Sequence, residues 1–138
     1  LKPLPDDATI AAALRRVLPR SRAAWLFGSA ARGRARATSD LDVAVVHTTP
    51  LHAVDRLAAA AQLAETLGRD VDLLDFARLS PVMQVQVLAT GRRLFTDDPV
   101  ADLDAAARAL RDYQDLQRWR GPMMRSLVAR LVGAGRAA

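Results

Sequence analysis

Gly28-Ser29-Ala30-Ala31-Arg32-Gly33-Arg34-Ala35-Arg36-Ala37-Thr38-Ser39-Asp40-Leu41-Asp42 is the stretch on which the reading of this chain turns. It lies between two apolar runs. Residues 23–27, Ala-Ala-Trp-Leu-Phe, read as a short buried strand that ends at a glycine, and residues 41–46 read as a second strand. The glycine–serine pair therefore sits at a strand-to-helix corner. Gly28 is expected there as a turn glycine with positive φ, and Ser29 as the N-cap of a short helix over residues 30–32. Such a corner presents backbone N–H groups and a hydroxyl to an anion, which is what the terminal phosphates of ATP require.

Side chains of a strand alternate between faces, so Asp40 and Asp42 project to one side, with Cα atoms about 6.7 Å apart at a rise of roughly 3.3 Å per residue. Leu41, Val43 and Val45 then point into a core. Two carboxylates on one face of a sheet repel each other and resist desolvation unless a divalent cation neutralises them. Magnesium suits that role, because it takes hard oxygen ligands and is usually held by one or two carboxylates plus substrate phosphates. Two such ions can clamp the attacking and leaving oxygens of a displacement at phosphorus. Taken singly, each residue has a plainer role: an aspartate before a strand is commonly a turn residue, and Asp-x-Asp arises by chance.

A third carboxylate is sought on a neighbouring strand, and Arg69-Asp70-Val71-Asp72-Leu73-Leu74-Asp75-Phe76 supplies it. Val71 and Leu73 alternate with Asp70 and Asp72, which puts both acids on one face. Asp72 sits mid-strand, where an unpaired carboxylate needs a reason. Asp70, after the turn signal Leu67-Gly68, and Asp75, at the strand exit, read as solvated turn residues. Asp72 is therefore preferred over Asp70 as the acid that completes the site, holding metal and polarising or deprotonating an acceptor hydroxyl.

Gly-Ser, ten residues, Asp-x-Asp and a later strand acid together resemble the DNA polymerase β-type nucleotidyltransferase superfamily. Arg32-Gly33 after the Gly-Ser pair and Ser39 directly before Asp40 resemble its minimal branch, the MNT-domain proteins of bacteria and archaea. Many of these, the MntA type, are antitoxins paired with HEPN-domain toxins. The resemblance is strongest over residues 25–76 and continues through Gly91-Arg92-Arg93-Leu94-Phe95; beyond residue 100 it rests on length and helical pattern. It implies a protein that transfers AMP from ATP to a tyrosine of the partner ribonuclease, releasing pyrophosphate and silencing the toxin. Carried onto this chain, Gly28 and Ser29 would hold the triphosphate, Asp40 and Asp42 would bind magnesium as a pair of ions, and Asp72 would complete the site. Arg32, Arg34 and Arg36 read either as a solvated loop face or, for Arg32, as a cation beside the triphosphate. Two rival readings stand beside this one: an antitoxin that acts by binding and occlusion alone, and a transferase for a small, aminoglycoside-like acceptor.

The 138 residues suit one domain, and 51% of them are apolar, enough for a core. The expected organisation is a single minimal nucleotidyltransferase domain over 1–138, with a core at about 8–96 and a helical part at about 98–134. With no room for a separate acceptor-binding domain, the acceptor would be read as a protein surface. Twenty Lys and Arg against fifteen Asp and Glu give a net charge of +5. Nucleic acid is the reflex partner for such a charge. Lys2 is the only lysine, however, and the chain is rich in alanine, so the charge is partly compositional and direct nucleic-acid binding is not expected. Cysteine is absent, which excludes disulfides and a thiol nucleophile, and with only His47 and His52 as histidines a zinc site is not expected. No apolar run is long enough to span a membrane, and a cytoplasmic location is expected.

The coarse order is helix, strand, strand, helix, strand, helix, short strand, helix, helix: an α/β (α+β) chain with a small mixed sheet packed with helices. Ile10, Leu14, Val17 and Leu18 share a face before Pro19. Residues 52–67 form a helix with Val54, Leu57, Ala61 and Leu63 or Ala64 as its apolar stripe, closed by Gly68. Ser80-Pro81 opens a helix that Gly91 stops, and residues 93–96 form a short strand. Asp97-Asp98-Pro99 opens an amphipathic helix to about Arg120 along Leu103, Ala106, Ala107, Leu110, Tyr113 and Leu116. Gly121-Pro122 is expected to break it, leaving a second C-terminal helix over 123–132. These helices either cover one face of the sheet or, through Tyr113, Leu116, Trp119, Met123 and Met124, anchor a partner.

Overall fold

Strict alternation in the strands divides their apolar side chains between two faces, and the helices follow that division. In the computed structural model the described residues are 3–31, 33 and 40–137, without the side chains of residues 119, 123, 124 and 133–137. The order is α1 (Asp7–Val17), β1 (Ser21–Phe27), α2 (Gly28–Ala31), β2 (Leu41–His47), α3 (Ala53–Leu67), β3 (Val71–Asp75), a 3₁₀ turn (Phe76–Arg78), α4 (Pro81–Thr90), β4 (Arg92–Thr96) and α5 (Pro99–Ala137). The four strands lie in the order β3-β2-β1-β4. β1 runs antiparallel to β2 and to β4, whereas β2 and β3 are parallel and are joined by the crossover helix α3.

Ala24 and Leu26 of β1, Leu41, Val43 and Val45 of β2, and Leu73 of β3 share one buried cluster with Ile10 and Leu14 of α1 and Leu63 of α3. The opposite face carries Ala23, Trp25 and Ala44, packed with Phe76 and with Val87 of α4. Trp25 and Phe76 meet with ring centroids 5.4 Å apart. α5 packs on α4 rather than on the sheet, so the second face is covered in two layers.

Local signals place the element ends as the sequence implies. The Asp6 carboxylate accepts from the Thr9 amide at 2.8 Å and caps α1, and the Ser80 hydroxyl accepts from the Met83 amide at 3.3 Å to cap α4. Gly68 ends α3 with φ 66°, the left-handed conformation of a helix stop.

Four expectations need correction. The apolar stripe of α3 is not Val54, Leu57 and Ala61. Val54 and Leu57 are exposed, and the buried side carries Ala59 and Leu63, flanked by Ala60, Ala64 and Leu67. The helix is alanine-rich, so two stripes are nearly equivalent in pattern; the one bearing both Leu63 and Leu67 packs into the cluster with Ile10 and Leu14 of α1 and Leu73 of β3. Asp75 is not a solvated exit residue: its side chain is buried and accepts from the Leu51 amide at 3.1 Å and the Ala77 amide at 3.2 Å. It is a structural acid that satisfies two backbone donors where β3 turns.

The two expected C-terminal helices are one continuous helix with Pro122 inside it. Proline accepts helical φ, and Gly121 removes the conflict between its ring and the Cβ of the preceding residue; the lost amide hydrogen bond and the crowding of the Arg118 carbonyl remain as costs that the helix bears. The packed side of this helix also differs from the expected stripe. Ala109 is buried and Asp102, Ala105, Ala106 and Tyr113 are half-buried, while Leu103 and Leu110 face outward and Leu116 is exposed.

Gly91 joins α4 to β4 where the chain passes close to other backbone. A Cβ there would lie 2.3 Å from the Val87 carbonyl oxygen and 3.1 Å from that of Leu26. Gly91→Ala should therefore destabilise the protein by about 1–3 kcal/mol, in the range of other overpacking changes, as read by chemical denaturation.

Candidate active site

The end of the sheet at which β1 finishes is also the end at which β2 and β3 begin. Phe27, the last residue of β1, pairs with Asp42, and Asp42 in turn pairs with Asp72 across the parallel strands. Alternation puts Asp42 and Asp72 on the face that carries Trp25 and Ala44, since their neighbours Leu41, Val43 and Leu73 lie in the cluster of the other face. The Leu41 amide donates to the Asp70 carbonyl at 2.9 Å, which ties the first residue of β2 to the entrance of β3. Asp40 precedes that bond, exposed at the rim.

Gly28 closes the corner from the other side. Its φ of 71° is the left-handed region that disfavours side chains, and a Cβ built on it would stand 2.3 Å from Oδ2 of Asp42. The backbone of the turn after β1 is thus laid directly against the Asp42 carboxylate. Gly28 and Ser29 are the first residues of the one-turn helix α2, so Ser29 lies inside that turn instead of capping it; the turn begins one residue early because glycine accepts the strand-to-helix dihedral change.

Asp40, Asp42 and Asp72 form a group of neighbouring like charges. The Asp42 carboxyl is held above the usual carboxylate range, first by its partial burial and then by the charges of Asp72 and Asp40. None of the three makes an ion pair with a described residue; the described ion pairs join Arg15 to Asp97, Arg78 to Asp75, Arg92 to Asp7 and Arg93 to Asp102. Nor do any three acidic or histidine side chains among the described residues close around a common point. Among the described residues these acids have no counter-charge, and they are a set of hard oxygen donors, which is the donor chemistry of a magnesium ion that takes its remaining ligands from water and phosphate.

The structure therefore brings Gly28, Asp42 and Asp72 together, sets Ser29 in the adjoining turn and puts Asp40 close enough to act on Asp42. Asp70 lies at the entrance of β3, exposed. Arg32, with Arg34, Arg36 and Ser39, lies outside the described residues. The contact between Gly28 and Asp42 was not visible in the sequence, where fourteen positions separate the two; only the antiparallel pairing of β1 with β2 reveals it.

The raised affinity of Asp42 for a proton carries a sign for stability. Losing that proton costs more in the folded chain than in the unfolded one, so this group weakens the fold as pH rises through the ordinary carboxylate range and goes on doing so at neutral pH. Asp42→Asn should raise the melting temperature of the ligand-free protein at neutral pH, and the gain should vanish below about pH 3, where both folded and unfolded chains hold the proton. Thermal unfolding of the two proteins across that range measures it.

Similarity to known proteins runs along the same elements. The family model described as polymerase beta, nucleotidyltransferase, matches residues 10–100, from α1 to the start of α5. The protein adenylyltransferase MntA of Shewanella oneidensis is 33% identical over 116 residues, covering 84% of this chain and 83% of that protein. A crystal structure of a toxin–antitoxin pair with AMP-PNP contains a chain that superposes with a TM-score of 0.81 at 31% identity, covering 90% of this chain and 99% of that one. An MNT antitoxin in complex with a tri-AMPylated Shewanella oneidensis HEPN toxin gives a TM-score of 0.73 at 30% identity, covering 88% and 95%. With the motif, the sheet order and these matches in agreement, this chain belongs to the polymerase beta nucleotidyltransferase family.

Proposed function

We propose that this chain is a protein adenylyltransferase that transfers AMP from ATP to a tyrosine of a HEPN-domain toxin and so acts as its antitoxin. The observation that carries the reading is the Asp42 carboxylate, seated against the Gly28 backbone and in register with Asp72, with no described cation to neutralise either acid. The glycine-led turn after β1 and carboxylates without a described counter-charge meet at one end of the sheet, which suits a substrate that is itself a polyanion carried with metal. The relatives are named for transfer to protein and for complexes with a HEPN toxin, and this chain covers most of their length.

Asp40 and Asp42 would hold magnesium, with Asp72 as a further ligand; bound there, the metal would neutralise the triphosphate and offset the charge that develops at phosphorus. Gly28 and Ser29 would hold the terminal phosphates, with Arg32 beside them. The tyrosine oxygen attacks the α-phosphorus in line with the bond to the β-phosphate. A new oxygen–phosphorus bond forms, the bond to the bridging oxygen breaks, and pyrophosphate leaves. Asp72 sits on the strand edge of the site, where it would orient the phenol and take up its proton. Gly28 acts as a positioning residue: without a side chain, it lets the turn close on Asp42.

Intact-protein mass spectrometry of a HEPN-domain toxin from the same genome, incubated with this chain, magnesium and each nucleoside triphosphate in turn, tests the reading. Mass increments of one or more AMP units are expected with ATP and not after chelation of the metal. The Asp40→Asn, Asp42→Asn double variant should abolish them while keeping its fold by circular dichroism. A folded double variant that still neutralises the toxin in cells would instead support occlusion without chemistry. Asp72→Asn should lower transfer far more than Asp70→Asn. Gly28→Ala should also lose most of its transfer, and it should unfold about 1–2 kcal/mol more easily, the usual penalty for a side chain in the left-handed region.

A further inference from the structure

The helix α5 changes character along its length. Its first half is seated on α4 through Ala109 and the half-buried Asp102, Ala105, Ala106 and Tyr113. Beyond Tyr113 no described side chain is buried. By helical periodicity Leu116, Arg120, Leu127, Arg130 and Leu131 lie on the same side as Ala109 and Tyr113, so the packing seam continues along the helix with no described side chain of it buried beyond Tyr113. Leu116, Leu127, Val128, Leu131 and Val132 are 42%, 49%, 53%, 66% and 50% exposed, a concentration of apolar surface on one half-helix that solvent does not explain.

Charge divides the helix at the same place. Residues 117–137 carry five arginines, at 118, 120, 125, 130 and 136, and no acid, whereas residues 99–116 carry Asp102, Asp104, Asp112 and Asp115 against Arg108 and Arg111. The arginines are not collected on one face. Arg118 and Arg125 lie opposite the seam, but Arg120 and Arg130 lie within it, among Leu116, Leu127 and Leu131. A helix lying on a lipid surface keeps charge off its apolar side, so this arrangement does not fit a membrane. Leucines at half exposure in the middle of the surface do not fit a phosphate backbone either. Arginines interleaved with leucine are what a protein interface uses, where the guanidinium pairs with carboxylates at the edge of an apolar contact.

We infer that the projecting half of α5, centred on Leu116, Arg120, Leu127, Arg130 and Leu131, is the docking surface for the acceptor protein, which meets it with an apolar strip bordered by carboxylates. The inference rests on the reading of this chain as a transferase that modifies a protein. It separates the two tasks in space: the acids at the sheet end perform the chemistry, and the helix holds the partner.

The test is titration calorimetry of the full chain against the purified HEPN-domain toxin that it modifies in the transfer assay, or that it neutralises in cells, at low and raised salt. Leu127→Asp with Leu131→Asp removes the apolar strip; Arg120→Glu with Arg130→Glu reverses the charge at exposed positions and keeps the helix folded. Each pair should weaken binding by about tenfold or more, as loss of central interface residues does, with circular dichroism and binding of an ATP analogue unchanged. The wild-type affinity should fall as salt screens the ion pairs. Absence of wild-type binding, or wild-type affinity in both variants, overturns the inference. So does an α5-dependent dimer of the chain alone in sedimentation, or α5-dependent binding to phosphatidylserine vesicles. An α5-dependent complex that shows no nucleotide transfer supports the docking surface and removes the transferase reading, whereas transfer with binding indifferent to both variants does the reverse.

Discussion

The parallel pairing of β2 with β3 is the constraint on which the site depends. Asp42 and Asp72 are neighbours only because the two strands run in the same direction in this register, with Val43 beside Leu73 one step further along. A slip of one residue would turn Leu41 and Val43 toward the face that carries the acids and send Asp42 into the cluster with Ile10, Leu14 and Leu63, so that cluster enforces the register. Ile10, Leu14 and Leu63 hold the buried side of those strands, and the bond from the Leu41 amide to the Asp70 carbonyl fastens their starting ends. The core on one face thus fixes the positions of the carboxylates on the other.

That arrangement opposes stability locally. Three like charges share one rim, and the most buried of them holds its proton above the ordinary range. Sites that gather charge for a ligand commonly weaken the fold in this way, and the cost is borne by packing elsewhere. Here the frame is tightened around the rim. The Arg92 guanidinium makes a two-pronged pair with Asp7, 2.7 and 2.9 Å, which ties the start of β4 to the first turn of α1. Arg15 lies 4.1 Å above the Phe95 ring, and Arg93 pairs with Asp102 of α5. Such exposed pairs add about 1 kcal/mol or less each, so their effect is mainly to set where the elements meet. Arg56 has a different task, donating to the Leu73 carbonyl at 3.1 Å and so occupying part of the open edge of β3.

The distribution of arginine gives the basic excess a structural meaning. Arginines of the sheet and its helices are in large part paired with acids or carbonyl oxygens of the frame, whereas the last part of α5 has arginine without any acid in its own sequence. The unbalanced charge is therefore local, on a segment that also exposes leucine and valine. A helix that extends beyond its described packing partner provides reach toward an acceptor.

The sequence by itself determined the elements that depend on short-range physics. Asp6, Ser80 and Pro81 start helices by satisfying or omitting terminal amides, Gly68 and Gly91 end them, and period-two alternation identifies the two strands that carry Asp42 and Asp72, together with the side on which each acid lies. The motif from Gly28 to Asp42, with Asp72 beyond it, could be read in the same way, because a turn, a strand and an alternating face are local properties. Tertiary structure alone decided the rest. It placed Asp42 opposite Asp72 and beneath Gly28, chose Leu63 and Leu67 over Val54 and Leu57 as the buried side of α3, and drew Asp75 inward to serve the Leu51 and Ala77 amides. It also carried α5 through Pro122 and past its support. Each of these outcomes turns on which surfaces meet across long sequence separations, and a local pattern compatible with two partners does not distinguish them until one is buried.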